Sequence, residues 1–180
     1  MLRRIINKLK ITFADKNWES KRKYLVQEGA QIGQGTRLNC SVLAFGSEPY
    51  LISCGKDCLF AADIHFITHD GGIKVLNSLD KFSGKSMDKI APIVIGNNVY
   101  IGMGAFIMPG VHIGNNSIIG AGAIVTHDIP ENVVAVGIPA KPIETIDQYH
   151  ENTLKKNMLF CFEGYSNAKK REKLRSFYDL

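Results

Sequence analysis

The stretch IGNNVYIGMGAFIMPGVHIGNNSIIGAGAIVTHDIP, residues 95–130, decides the fold. Every sixth residue in it is aliphatic: Ile95, Ile101, Ile107, Ile113, Ile119 and Val125. Four residues after each comes a second small or aliphatic position, giving Val99, Ala105, Val111, Ser117, Ala123 and Ile129. A six-residue period is neither helical nor the two-residue alternation of an exposed sheet. It belongs to a chain that winds in short flat strands separated by tight turns. One winding cannot cover its own apolar side, so each needs neighbours above and below. Gly96, Gly102, Gly114 and Gly120 stand directly behind four of the anchors, where glycine tolerates positive φ and the close approach of the next winding. The pairs Asn97-Asn98 and Asn115-Asn116 suit the same turns.

The register recurs upstream with interruptions. Cys54, Phe60 and Phe66 stand six apart, with Cys58 and Ile64 in the second slots; Ile32, Leu38 and Ala44 do the same, followed by Thr36 and Val42. A short irregular stretch near Ser47 to Leu51 divides these blocks. A longer one, from about residue 71 to 92, is rich in Gly, Ser, Lys and Asp and reads as a loop extruded from the column. The expectation is an all-β chain forming a single domain over residues 1–180. A helical or irregular cap covers 1–29, the β-helix 30–143 and a helical segment 144–180.

With 180 residues, 45% of them hydrophobic, the chain can bury a core. It has no run of the eighteen or so apolar residues that a spanning helix requires. The start, MLRRIINKLKI, scatters charge through its apolar residues, so a cytoplasmic location is expected over secretion. Cys40, Cys54, Cys58 and Cys161 then read as reduced thiols, and Cys54 and Cys58, spaced C-x3-C on inward slots, as core. No metal is expected. The net charge of +5 favours anionic partners, with Lys and Arg concentrated at the two ends. No stacking aromatics interleave with that charge in a known module, so nucleic acid is not expected. Leu2, Ile5, Ile6 and Leu9 share one helical face that suits a cap on the open column, with a weak membrane-surface contact as a second use, peripheral at the inner membrane face.

Residues 95–143, ending in GIPAKPI, resemble the hexapeptide-repeat acyltransferases, above all the galactoside and maltose O-acetyltransferases and the O-acetyltransferases of bacterial surface polysaccharides. The resemblance reaches back to about Ile32. It implies a left-handed parallel β-helix of about four to five coils, an extruded loop that helps enclose the acceptor, a homotrimer, and acetyl-coenzyme A between neighbouring columns. Left-handedness is an implication of the resemblance alone, since the usual crossover is right-handed.

Acetyl transfer from a thioester to an alcohol needs a base for the hydroxyl proton, a donor for the oxyanion and a grip on the nucleotide. His69, in FITHDGG at the mouth of the long loop, matches the catalytic histidine of the family, and an imidazole suits a base near neutral pH. A backbone carbonyl is its expected partner. His65 and His112 share a later hexad position that reads as solvated turn, and His150 lies beyond the repeats.

Asn39, in RLNCSV, resembles an acceptor-binding asparagine and equally an ordinary turn residue; Tyr100, placed with it among the substrate-binding candidates, stands where the family often carries Trp and either walls the pantetheine arm or covers a turn. The resemblance places the thioester-side contact at Met103, where the family carries Ser, so only the main-chain N–H remains as donor. It places coenzyme contacts at Ala121, Thr126, His127 and Lys141. His127 for a usual Lys, and Glu144 for a common Arg, remove fixed charge near the nucleotide. The phosphates are then held more weakly, or the basic carboxy-terminal helix compensates.

The function this implies is acetyl-CoA-dependent O-acetylation of a sugar hydroxyl in surface polysaccharide synthesis. N-acetylation of a nucleotide-linked amino sugar and O-acetylation of an antibiotic are alternatives. A zinc-binding branch of the fold would need three histidines, and His65 and His69 lack a convincing third.

Overall fold

The structure is a computed structural model that describes residues 9–156 and 158–180. Leu2, Ile5 and Ile6 of the expected capping face therefore lie outside the described residues. Two compact units divide the chain, one ending at Ile146 and the other covering Asp147–Leu180.

In the first unit the strands are short: β1 Gln31–Ile32, β2 Arg37–Leu38, β3 Ile52–Cys54, β4 Leu59–Phe60, β5 His65–Phe66, β6 Ile93–Ile95, β7 Tyr100–Ile101, β8 Phe106–Ile107, β9 His112–Ile113, β10 Ile118–Ile119 and β11 Ile124–Val125. They form three sheets, ordered β1-β3-β6-β9, β2-β4-β7-β10 and β5-β8-β11, with every pairing parallel. From β3 to β8 each strand pairs with the one three places later, so the chain visits three sides in rotation and builds a parallel β-helix. The column ends in an antiparallel hairpin, β12 Val133–Gly137 and β13 Ala140–Thr145, of which β12 pairs with β10.

Both inward series expected from the six-residue period are buried throughout, from Ile32 and Thr36 to Val125 and Ile129. Ile101, Ile107, Ile113 and Ile119, successive anchors on the three sides of the column, are fully enclosed, with Ile119 stacked on Ile101. Burying each such side chain contributes roughly 1.5–3 kcal/mol. The two polar members are satisfied. Thr36 Oγ1 donates to Gly55 O at 2.8 Å and accepts from Cys58 N at 3.1 Å, while Ser117 Oγ donates to Pro130 O at 2.9 Å. Cys40, Cys54 and Cys58 are buried thiols, and burial pushes Cys40 up to about 11 and Cys54 to about 12.

The glycines behind the anchors serve close approach and not positive φ. A Cβ on Gly102 would lie 2.5 Å from Ala121 N in the next winding. Positive φ falls on the second asparagine of each pair, Asn98 at 54° and Asn116 at 53°. The first asparagine uses its side chain to tie windings together: Asn97 Oδ1 accepts from Lys56 N, and Asn115 Oδ1 from Asn97 N.

One expected strand is absent. Val42–Phe45 is a 3-10 helix, because Ser41 caps it by accepting from Leu43 N while Asp15 takes both the Ser41 hydroxyl and Val42 N. Phe45 packs on Phe66 with ring centroids 4.8 Å apart. The helix Trp18–Gln27, N-capped by Asn17, closes the lower end; Leu25 is buried, and Lys21 Nζ donates to Leu38 O and Cys40 O.

The second unit holds part of the helix Ile146–Lys155 and all of Asn167–Phe177, neither with a buried residue. Contacts among Phe160, Phe162, Tyr165, Phe177 and Tyr178 organise it.

Candidate active site

Two interruptions of the six-residue register meet at one edge of the column. The first is the short stretch after the 3-10 helix, carrying Ser47 and Glu48; the second is the exit of the long loop after β5, carrying Thr68 and His69. His69 Nδ1 lies 3.0 Å from Glu48 Oε2, and Thr68 Oγ1 donates to that same oxygen at 2.5 Å. Ser47 Oγ donates to Glu48 Oε1 at 2.8 Å. Thr68 is buried, Glu48 is 17% exposed, and the His69 ring is 53% exposed. A supported carboxylate thus faces one ring nitrogen while the rest of the imidazole meets solvent.

Hydrogen bonds from Thr68, His69 and Ser47 hold the Glu48 carboxyl down at about 2, so it is ionised at any working pH. An ionised carboxylate only accepts, so the His69 nitrogen facing it carries the proton and Nε2 is left to act as a base. The expected carbonyl partner of His69 is therefore replaced by a carboxylate from an insertion outside the repeat pattern. Sequence reasoning missed Glu48. Its signal was an acid inside a register break, which gains meaning only when that break is stacked beside another.

The loop is tied at its neck. Asp70 N donates to Lys89 O at 2.8 Å, Ala91 N donates to Thr68 O at 2.9 Å, and His69 and Ile90 form an antiparallel bridge. Asp70 pairs with Lys89 Nζ at 2.8 Å, and its other oxygen accepts from Gly72 N. Asp70 is thereby held in the neck, leaving Glu48 as the carboxylate on the imidazole. Beyond the neck a short helix, Ile73–Ser78, occupies the loop.

The other sequence candidates fall into separate groups. Thr126 and His127 follow β11 at the edge that holds His69, two windings on, with Thr126 Oγ1 and His127 Nδ1 2.8 Å apart. Windings stack about 4.8 Å apart, so this is roughly 10 Å along the column. Met103 and Ala121 lie in adjacent windings of a different edge, after β7 and β10, where Gly122 N donates to Met103 O at 2.8 Å. Asn39, after β2, is exposed on that same side and donates its N–H to Phe60 O at 2.9 Å. Tyr100 lies on the outer face of β7 between Leu59 and Ile118. Lys141 is exposed on β13 opposite Val136. Within one chain, then, His69 and the Met103 edge stand on opposite margins of the β5-β8-β11 sheet. His65 and His112, expected in turns, are outward strand residues, and His65 stacks on Phe106 with centroids 4.6 Å apart.

Residues 92–127 match the family model described as bacterial transferase hexapeptide, six repeats. Protein CapG of Staphylococcus aureus is 46% identical over 127 residues, covering 70% of this chain and 72% of that protein. The galactoside O-acetyltransferase of Escherichia coli strain K12 is 62% identical over 56 residues, a local match covering 31% of this chain and 28% of the enzyme. Among solved structures, a maltose O-acetyltransferase from Clostridium difficile 630 superposes with a TM-score of 0.54 at 28% identity, covering 79% of this chain and 85% of the other. These neighbours imply the left hand for the β-helix, which the strand pairing alone does not set. The extent of the CapG match, with the repeat model lying on the column described above, places this chain in the hexapeptide-repeat acyltransferase family.

Proposed function

We propose that the chain transfers an acetyl group from acetyl-coenzyme A to a hydroxyl of a saccharide, with His69 as general base. The observation that carries this reading is the His69–Glu48 contact at the exit of the long loop. His69 Nε2 takes the acceptor's hydroxyl proton as that oxygen bonds to the thioester carbon. Glu48 stabilises the imidazolium that forms, and the main-chain N–H of Met103 serves the oxyanion. The carbon–sulfur bond then breaks, and the thiolate receives the proton from Nε2. Thr126, His127, Ala121 and Lys141 hold the coenzyme; Asn39, Tyr100 and the long loop border the acceptor.

Because His69 and Met103 stand on different edges of one column, this reading completes the site between copies, in a homotrimer. Its support is the contrast between the sides. Outward positions of the second sheet carry Leu59, Tyr100 and Ile118 beside Arg37, and those of the third Phe106 and Ile124 beside His65, whereas the first carries Val94 alone among Gln31, Ser53 and His112. The column is read as four coils and a partial fifth, a count supported by the strand order. A sugar hydroxyl is supported by the names of the galactoside and maltose enzymes. A surface polysaccharide is the finer reading, and its support is the sequence resemblance of residues 95–143 to the O-acetyltransferases of bacterial surface polysaccharides.

Thiol release from acetyl-coenzyme A, across saccharides, amino sugars and antibiotic alcohols, tests the proposal. A saccharide alcohol is expected to be the best acceptor, and His69→Ala should slow the reaction by about 10²–10⁴. Full activity in that variant refutes the mechanism.

A further inference from the structure

The helix Asn167–Phe177 carries Lys169, Lys170, Arg171, Lys173 and Arg175 against the single acid Glu172. Lys170 and Arg171 precede Leu174 by one helical turn and Arg175 follows it, so the three cations flank one apolar residue. The chain beyond the helix folds back on this point. Tyr178 N donates to Leu174 O at 3.1 Å, Leu180 N to Arg175 O at 3.0 Å, and Arg175 Nε to Leu180 O at 3.2 Å. Leu174, Tyr178 and Leu180 thereby line a shallow depression of 390 Å³ together with Asn167, Lys170, Arg171 and Arg175. Leu180 is pinned there although it is 79% exposed. Arg175 is thus engaged by the main-chain oxygen of Leu180, and Lys170 Nζ lies 5.1 Å from the centroid of the Phe162 ring, but among the described residues no Asp or Glu side chain pairs with these three cations.

A site for a small anion would converge its cations on one point. Here the three are exposed and spread around an apolar centre, which suits a plane of phosphates above an apolar layer. No described helix is long and apolar enough to cross a membrane, so the contact lies at the surface. We propose that the face formed by Leu174, Tyr178, Leu180, Lys170, Arg171 and Arg175 docks on an anionic lipid bilayer. The proposal does not depend on the acetyl-transfer reading.

The test is co-sedimentation of the full chain with vesicles of phosphatidylcholine and phosphatidylglycerol at 3:1, against phosphatidylcholine alone. Binding is expected to the anionic vesicles only, and to weaken as salt is raised. Lys170→Glu, Arg171→Glu and Arg175→Glu together should lower the partition coefficient at least 100-fold, because each lost cation removes a factor of about five. Leu180→Ser, which keeps every charge, should lower it about tenfold. Equal binding to neutral vesicles, or undiminished binding by the triple variant, overturns the proposal. So does displacement from vesicles by inorganic phosphate or coenzyme A at constant ionic strength, which would make the face a soluble-anion site. Lipid-free self-association lost in the triple variant, without vesicle binding, would make it a contact between copies. Thiol release on the same samples reads the catalytic proposal separately.

Discussion

Replacing Glu48 by Gln isolates the charge behind His69 from the shape of its support. Oε2 receives Thr68 at 2.5 Å and His69 at 3.0 Å, and Oε1 receives Ser47 at 2.8 Å. A glutamine carbonyl can take the first two donors, while its amide group turns to the Ser47 oxygen, which also accepts. The geometry survives and the charge does not. Hydrogen bonds to charged groups contribute roughly 1.5–3 kcal/mol and neutral ones roughly 0.5–1.5, so the charge accounts for about 1–1.5 kcal/mol at this contact. With the ring 53% exposed, solvent screening favours the lower end. At 1.36 kcal/mol per decade the expected loss is roughly 5- to 15-fold in kcat, with KM for acetyl-coenzyme A unchanged. Steady-state thiol release measures both constants. If Glu48 acts through the imidazole, Glu48→Gln should slow a His69→Ala enzyme no further. Activity within twofold of the native enzyme, or a loss that multiplies with that of His69→Ala, refutes the assignment.

Glu48 also predicts acid behaviour. Its folded pKa, about 2, lies below the ordinary 4.5, so its stabilisation is complete above pH 4.5 and disappears as pH falls towards 2. Denaturant melts should show a loss over that window that Glu48→Gln lacks. Gly102→Ala drives a Cβ to within 2.5 Å of Ala121 N, a backbone atom that cannot rotate away; a cost of about 2–3 kcal/mol should appear as a Tm roughly 4–12 °C lower. Lys141→Ala should weaken coenzyme binding in a calorimetric titration by about tenfold, the scale of one hydrogen bond to a charged group, and unchanged affinity would remove Lys141 from the site. Ellman's reagent should react with Cys161 alone in the folded chain, since Cys40, Cys54 and Cys58 are buried.

The inward residues were legible because their spacing repeats: Ile101, Ile107, Ile113 and Ile119 report the same environment again and again. Val42–Phe45 was legible only in part. Its inward residues are buried as the period requires, yet Asp15, far away in sequence, bends the backbone from strand into 3-10 helix. The turn asparagines show a similar limit. Asn97 and Asn98 look alike in sequence, but one bonds across windings and the other takes positive φ.

For the candidate site, His69 could be found from its place at a break in the pattern and from family resemblance. Glu48 could not, because no local period links residues 21 positions apart in two separate interruptions. Their meeting follows from the number of residues each winding spends before returning to the same edge. The grouping of Thr126 and His127 with His69, and of Asn39 with Met103 and Ala121, arises in the same way.

By itself, then, the sequence determined the winding scaffold, its buried lining, the place of the long loop and the identity of the histidine at its mouth. These depend on local spacing, and a repeated apolar residue has the same reason to be buried in every winding. The tertiary structure decided which irregular segments stack together, and with that the carboxylate that sets the histidine's proton and the edge on which each candidate stands. Those facts depend on through-space contact between segments outside the repeat, where the chemistry of a residue is set by neighbours that its own spacing does not name.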